Sequence, residues 1–172
     1  YSENGEISRL KRMTAELSLE NTVTFLGSQR QDRLPHYYSA AEVCVLPSRY
    51  ESFGMVALEA MACGTPVIAS HVGGLTSLIQ DERCGFVVPE GNEQALAGKI
   101  CLLLGNPSLR ETMGWNARER SLLYGWHAIA DRILEIYLTL SDKGIESAQL
   151  LLPFCRDAGA EAALPAITCG AV

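Results

Sequence analysis

The sequence predicts an α/β fold in which a parallel sheet is flanked by helices, and three observations support that expectation. Strand-like and helix-like segments alternate at close spacing, which implies crossover helices between parallel strands. Val43-Cys44-Val45-Leu46 is a continuous apolar run closed by Pro47, the pattern of a central strand buried on both faces. Glycine and proline mark the borders between segments, at Gly27, Pro47, Gly64, Pro66 and Gly73-Gly74.

Each element has its own signal. Residues 7–17 place Ile7, Leu10, Met13 and Leu17 on one helical stripe. Val23-Thr24-Phe25-Leu26 reads as a strand closed by Gly27, and residues 34–41 as a short helix. After the 43–46 strand and a loop through Gly54, a helix is expected over 55–63, ended by Gly64 and Pro66. Pro66 can open the next strand, 66–69, because the first strand position tolerates a missing N–H. A short helix near 76–80 follows Gly73-Gly74, and Gly85-Phe86-Val87-Val88 is the last strand. Asn92 caps a helix over 93–104, and helices are expected at 108–123 and 126–140. Residues 1–143 are assigned to one domain and 144–172, where Pro153, Gly159, Pro165 and Gly170 interrupt the pattern, to a tail of uncertain order.

The 172 residues suffice for one domain with a sizeable core, and 48% hydrophobic with 20% charged residues is an ordinary globular composition. A net charge of −6 without a basic cluster argues against nucleic acid as a partner. No apolar run approaches the ~20 residues of a membrane span, and Tyr1-Ser2-Glu3-Asn4 does not resemble a signal peptide, so a cytoplasmic location is expected. The six cysteines, Cys44, Cys63, Cys84, Cys101, Cys155 and Cys169, lack metal-ligand spacing and read as reduced, mostly buried thiols.

The most informative segment runs from Pro47 to Pro66. A loop through Glu51-Ser52-Phe53-Gly54 leads into the 55–63 helix, whose first N–H groups would point at one spot above the sheet. An anion belongs there. Glu51 lies before the helix and Glu59 inside it, ~7.5 Å beyond Gly54 along the axis, within reach of hydroxyls on either side of a phosphate. A nucleotide-sugar has that layout of sugar, diphosphate and ribose. Gly73-Gly74 would line the same crevice, since ligands of open parallel sheets bind at the carboxyl ends of strands. An unpartnered Glu59 among Val56, Ala57, Leu58, Ala60 and Met61 would be costly to bury, which favours a role in binding.

Taken together, Val23-Thr24-Phe25-Leu26-Gly27, Leu46-Pro47-Ser48, the Glu51 to Glu59 block, Ala60-Met61-Ala62-Cys63-Gly64-Thr65-Pro66, Gly73-Gly74 and Gly85-Phe86-Val87-Val88-Pro89 resemble the C-terminal half of a retaining glycosyltransferase of the GT-B fold. The family is the large one of sucrose, mannosyl and inositol-phosphate glycosyltransferases, and the resemblance covers residues 21–140. It implies a Rossmann-like sheet and transfer of a hexose from a nucleoside-diphosphate sugar to an acceptor hydroxyl, without metal or other cofactor. It also implies that Glu51 contacts the donor sugar as the catalytic carboxylate and that Ser52, Phe53, Gly54, Met55 and Val56 line the sugar and diphosphate. Glu59 would bind ribose, and Gly27 and Ser28 would border the nucleobase.

The family's Arg and Lys pair, which neutralises the departing diphosphate, belongs to a strand-loop-helix that would precede Tyr1. The chain is therefore expected to lack the first two strands of its domain and the acceptor-binding N-terminal domain, through which any membrane-surface contact would be made, and to be inactive alone. The strand at 43–46 is then expected at a sheet edge unless 23–26 moves in beside it. Arg30 and Arg49 are weak substitutes for the basic pair. Alternatives are a non-catalytic nucleotide-sugar-binding module and a GT-B epimerase. His71 reads as a loop residue near the crevice, His36 and His127 as structural, Trp115, Tyr124, Trp126 and Tyr137 as packing residues, and Arg118-Glu119-Arg120 as a solvated face.

Overall fold

The computed structural model describes residues 3–140, in a chain that divides into two compact units, 1–33 and the remainder from Leu34. The tail beyond 143, with Cys155 and Cys169, lies outside the described residues.

In the first unit, helix α1 (Glu3–Glu16) is stitched by the Arg9–Glu6 ion pair at 2.7 Å and by Thr14 Oγ1 donating to the Leu10 carbonyl at 2.8 Å. Ser18, at φ 56, turns the chain out of the helix while the Leu19 N–H donates back to the Thr14 carbonyl at 2.9 Å. The strand expected at 23–26 is not formed: the segment belongs to no ladder, and Val23, Phe25 and Leu26 are exposed. A β-rich composition expresses fitness for a pleated surface, and without cross-strand pairing it does not make a strand.

The second unit holds α2 (Leu34–Ala40), β1 (Cys44–Leu46), α3 (Met55–Ala62), β2 (Val67–Ser70), α4 (Leu75–Leu78) and β3 (Gly85–Val88). Helices α5 (Glu93–Leu104), α6 (Pro107–Ser121) and α7 (Trp126–Leu140) follow, with a single 3-10 turn, Leu122–Tyr124, before the last. The strands form one parallel sheet in the order β1-β2-β3, Cys44 opposite Val67 and Ile68 opposite Phe86. The central strand β2 is buried at every position. Because successive strand side chains face opposite ways, β2 serves two cores. Val67 and Ala69 join Ala57, Ala60 and Met61 of α3 with Leu75 and Leu78, while Ile68 joins Phe86, Val88, Leu103 and Met113 on the other face. Helices on both faces are what a parallel sheet requires, and they account for the apolar strand sequences. As expected, among the described residues β1 pairs with β2 alone and lies at the edge.

The caps follow the sequence. Asn92 Oδ1 accepts from the Ala95 N–H at 2.9 Å, and Asn106 Oδ1 from the Leu109 N–H at 3.1 Å with Pro107 opening α6. Trp115, Trp126 and Tyr137, expected to pack, are 65%, 80% and 68% exposed, on helix faces that no described residue covers. Helical spacing sets the face a residue occupies, and burial needs a partner for that face. His36 and His127 are likewise exposed, on α2 and α7. The four described cysteines are free thiols, and only Cys84 is fully buried; Cys44 and Cys63 are half-buried and Cys101, on the outer face of α5, is exposed. Burial pushes the Cys44 thiol up to about 11. Among the described residues no helix is long and apolar enough to cross a membrane.

Candidate functional site

The loops after β1 and β2 meet at the carboxyl edge of the sheet. Gly54, at φ 96 and ψ 48, takes a left-handed turn that a side chain would resist, and stands at the head of α3 without any side-chain cap. The first-turn N–H groups of α3 therefore point outward, as helix geometry dictates. Beside them the Gly74 N–H donates to the Glu51 carbonyl at 3.1 Å. A Cβ at Gly73 would overlap the Glu51 carbonyl, and one at Gly74 would overlap the Ser52 carbonyl and come within 2.7 Å of Phe53 Cα. The two loops thus touch backbone to backbone at the carboxyl edge of the sheet.

Glu51 is half-buried, and its Oε1 accepts from the N–H groups of Gly54 at 3.0 Å and Phe53 at 3.3 Å. Its carboxylate therefore shapes its own loop, a role the sequence analysis did not anticipate although the spacing is local. Ser52, Met55 and Val56 are exposed at the mouth of the helix. Phe53 meets Tyr124 edge-on, with ring centroids 5.7 Å apart and planes at 67°. Tyr124 is held in turn by Arg120, whose Nη2 donates to the phenol oxygen at 3.4 Å. Arg120 does not lie on a solvated face. Its guanidinium donates to the Leu78 carbonyl at 2.5 Å and the Ser77 carbonyl at 2.6 Å, closing the end of α4 as a cation at a helix C-terminus does.

Glu59 is half-buried, with Oε2 accepting from the Tyr38 hydroxyl at 3.0 Å. The burial cost inferred from its apolar neighbours is thus offset by a donor from α2, 21 residues away in sequence. Burial first, and then this bond to Glu59, pushes the Tyr38 ionisation upward, so the hydroxyl keeps its proton and donates. Tyr38 was not anticipated, since its spacing from Glu59 carries no local signal.

Gly27 and Ser28 belong to the first unit, where Gly27 adopts φ 65 and both are exposed. Arg30, in the same unit, pairs with Asp32 at 3.0 Å, and Arg49 is exposed. His71 is exposed; its N–H donates to the Val88 carbonyl at 2.7 Å, and it borders a cavity of about 390 Å³ with Val87, Val88, Pro89 and Glu90. A second cavity, about 380 Å³, lies between Gln80, Arg83, Asn116, Glu119, Arg120 and Leu123. Neither is lined by Glu51 or Glu59. Among the described residues no group of three or more His, Cys, Asp or Glu could hold a metal ion.

The family model of the group 1 glycosyl transferases matches residues 3–120. The D-inositol 3-phosphate glycosyltransferase of Saccharomonospora viridis is 38% identical over 128 residues, 74% of this chain and 30% of its own length. That of Acidothermus cellulolyticus is 39% identical over 136 residues, 79% of this chain and 30% of its own. Among solved structures, sucrose-phosphate synthase from Thermosynechococcus elongatus superposes with a TM-score of 0.72 at 47% identity, covering 79% of this chain and 34% of that one. HepE of Anabaena in complex with UDP superposes with a TM-score of 0.74 at 31% identity, covering 81% of this chain and 38% of that one. The chain thus spans about a third of the length of these relatives. The parallel sheet with flanking helices is that of the Rossmann-like C-terminal half of a GT-B glycosyltransferase, and the chain belongs to the group 1 glycosyl transferase family.

Proposed function

We propose that this chain forms the donor-binding half of a retaining glycosyltransferase that moves a hexose from a nucleoside-diphosphate sugar to an acceptor hydroxyl. The supporting observation is the junction at the carboxyl edge of the sheet, where the Gly54-headed start of α3 meets Gly73-Gly74 with a carboxylate on either side. HepE of Anabaena is known in complex with UDP and with UDP-glucose, which supports a uridine nucleotide as the ligand class.

In this reading the diphosphate lies on the amides of Met55 and Val56, attracted by a helix end worth about half a positive charge. Glu59 accepts from the ribose diol. Glu51 acts at the sugar end: it contacts sugar hydroxyls, and through its bonds to Phe53 and Gly54 it sets the loop that lines sugar and diphosphate. The bond between the anomeric carbon and the diphosphate oxygen breaks as the acceptor hydroxyl attacks from the same face and passes its proton to the departing diphosphate, and the α3 amides stabilise the charge growing on the leaving group. Transfer is assigned to these groups without a metal. The acceptor is assigned to the portion of the relatives' length that this chain does not span.

The test is to incubate the full-length protein with a panel of nucleotide-sugars, with and without acceptor alcohols and EDTA, and to measure nucleotide release and product anomer. The expected result is release from one donor that an acceptor accelerates, with retained configuration and no response to EDTA. Interconversion of the donor sugar without release would favour the epimerase, and binding without any reaction the non-catalytic module.

A further inference from the structure

We propose that Tyr38 is the positioning residue of Glu59, its hydroxyl fixing one carboxylate oxygen so that the group meets the ribose diol in a single orientation. The inference rests on the reading that Glu59 accepts from ribose. A glutamate on a helix can swing through several rotamers, and a ligand that must select one loses affinity to the ordering. A donor already bound to Oε2 removes that freedom beforehand.

Tyr38 is suited to the task because it is itself fixed at a second point. Its carbonyl accepts from Thr65 Oγ1 at 2.6 Å, and Thr65, in the turn that joins α3 to β2, is 2% exposed. Glu59 and Thr65 are thus the two attachment points of one residue, its hydroxyl on α3 and its carbonyl on the turn that follows α3. Movement of α2 against α3 would have to break both bonds together. The phenol, with its ionisation pushed upward by burial and by the bond to Glu59, retains the proton that it donates.

A simpler role for Tyr38 is packing, since the ring is half-buried against the α3 and β2 core. Tyr38→Phe keeps the ring and removes the hydroxyl, and two ligands separate the roles. Titration calorimetry with UDP and with its 2′,3′-dideoxy analogue gives an affinity ratio that isolates the diol. The full-length protein is expected to prefer UDP by at least about tenfold, and Glu59→Ala to bring the ratio close to one. Tyr38→Phe should weaken UDP by about three- to tenfold while leaving the dideoxy analogue unchanged. Equal loss for both ligands, or none, with the Glu59→Ala collapse intact, would overturn the role of Tyr38 alone. A ratio that survives Glu59→Ala would overturn the ribose reading and this inference with it. Should Tyr38→Phe fail to fold, Thr65→Val releases the same anchor at its other end and should lower the ratio in the same direction; an unchanged ratio there would also refute the proposal.

Discussion

Glu51 and Glu59 flank one helix start, yet the region around each is held together differently. Glu51 accepts from amides two and three residues onward and packs its backbone on Gly73-Gly74, whereas Glu59 accepts from a hydroxyl 21 residues away. The first region depends on backbone clearance and the second on a remote side chain. Substitutions should therefore damage the two regions in distinguishable ways.

The largest effect is expected where clearance is least. Gly74 has an ordinary helical φ of −66, so Gly74→Ala tests contact rather than conformation. Its methyl group would push on the Ser52 carbonyl and Phe53 Cα, which cannot rotate away, and we expect a loss of ~2–3 kcal/mol, read as a fall in Tm of about 5 to 10 °C. Gly98→Ala is the contrast. Gly98 lies exposed within α5 with nothing near its Cβ position, and the exchange should stabilise by roughly 0.5–1 kcal/mol. Equal destabilisation by both would show that the loop contact has no special role.

Next come the carboxylates. Glu59→Ala should weaken UDP binding by ~1.5–3 kcal/mol, the range of a hydrogen bond to a charged group. Glu51→Ala should leave UDP affinity within a few-fold, because the amides it occupies become available to phosphate, while turnover of the nucleotide-sugar falls by more than tenfold. Calorimetry and donor turnover on the two variants check this, and matched losses in both assays would erase the division of roles.

The smallest effect sharpens the comparison from the side of the strand that leads into the Glu51 loop. Cys44 is half-buried at the start of β1, and burial raises its thiol to about 11. A raised folded value means that its contribution is fully present below the ordinary thiol range and is lost as the pH rises through about 11. Denaturant midpoints should thus fall more steeply above pH 9 in the natural chain than in Cys44→Ala. Identical slopes would show that the thiol is solvated.

Much of the second unit is legible in the sequence because its signals are local. The apolar runs at β1 and β3, the Asn92 cap and the glycine-headed α3 each depend on neighbours within a few residues. What escapes the sequence is set by partners. Residues 23–26 have the composition of a strand but no ladder, Arg120 reads as a solvated charge until α4 ends beneath it, and Tyr38 is an ordinary helix residue until α2 meets α3. The bonding of Glu51 to its own loop is a different case. It is local, but a glutamate that accepts from its own loop and one that reaches a ligand have the same sequence.

The central claim is that donor nucleotide sits on the α3 start, beside the junction of the two loops. Hydrogen exchange on the full-length protein, with and without saturating UDP, tests it most directly. We expect new protection at the amides of Met55 and Val56, and little change at Arg83, Asn116 or Glu119 around the cavity on the α6 side. Protection confined to that second cavity, or UDP binding that leaves the Met55 and Val56 amides unprotected, would contradict the account.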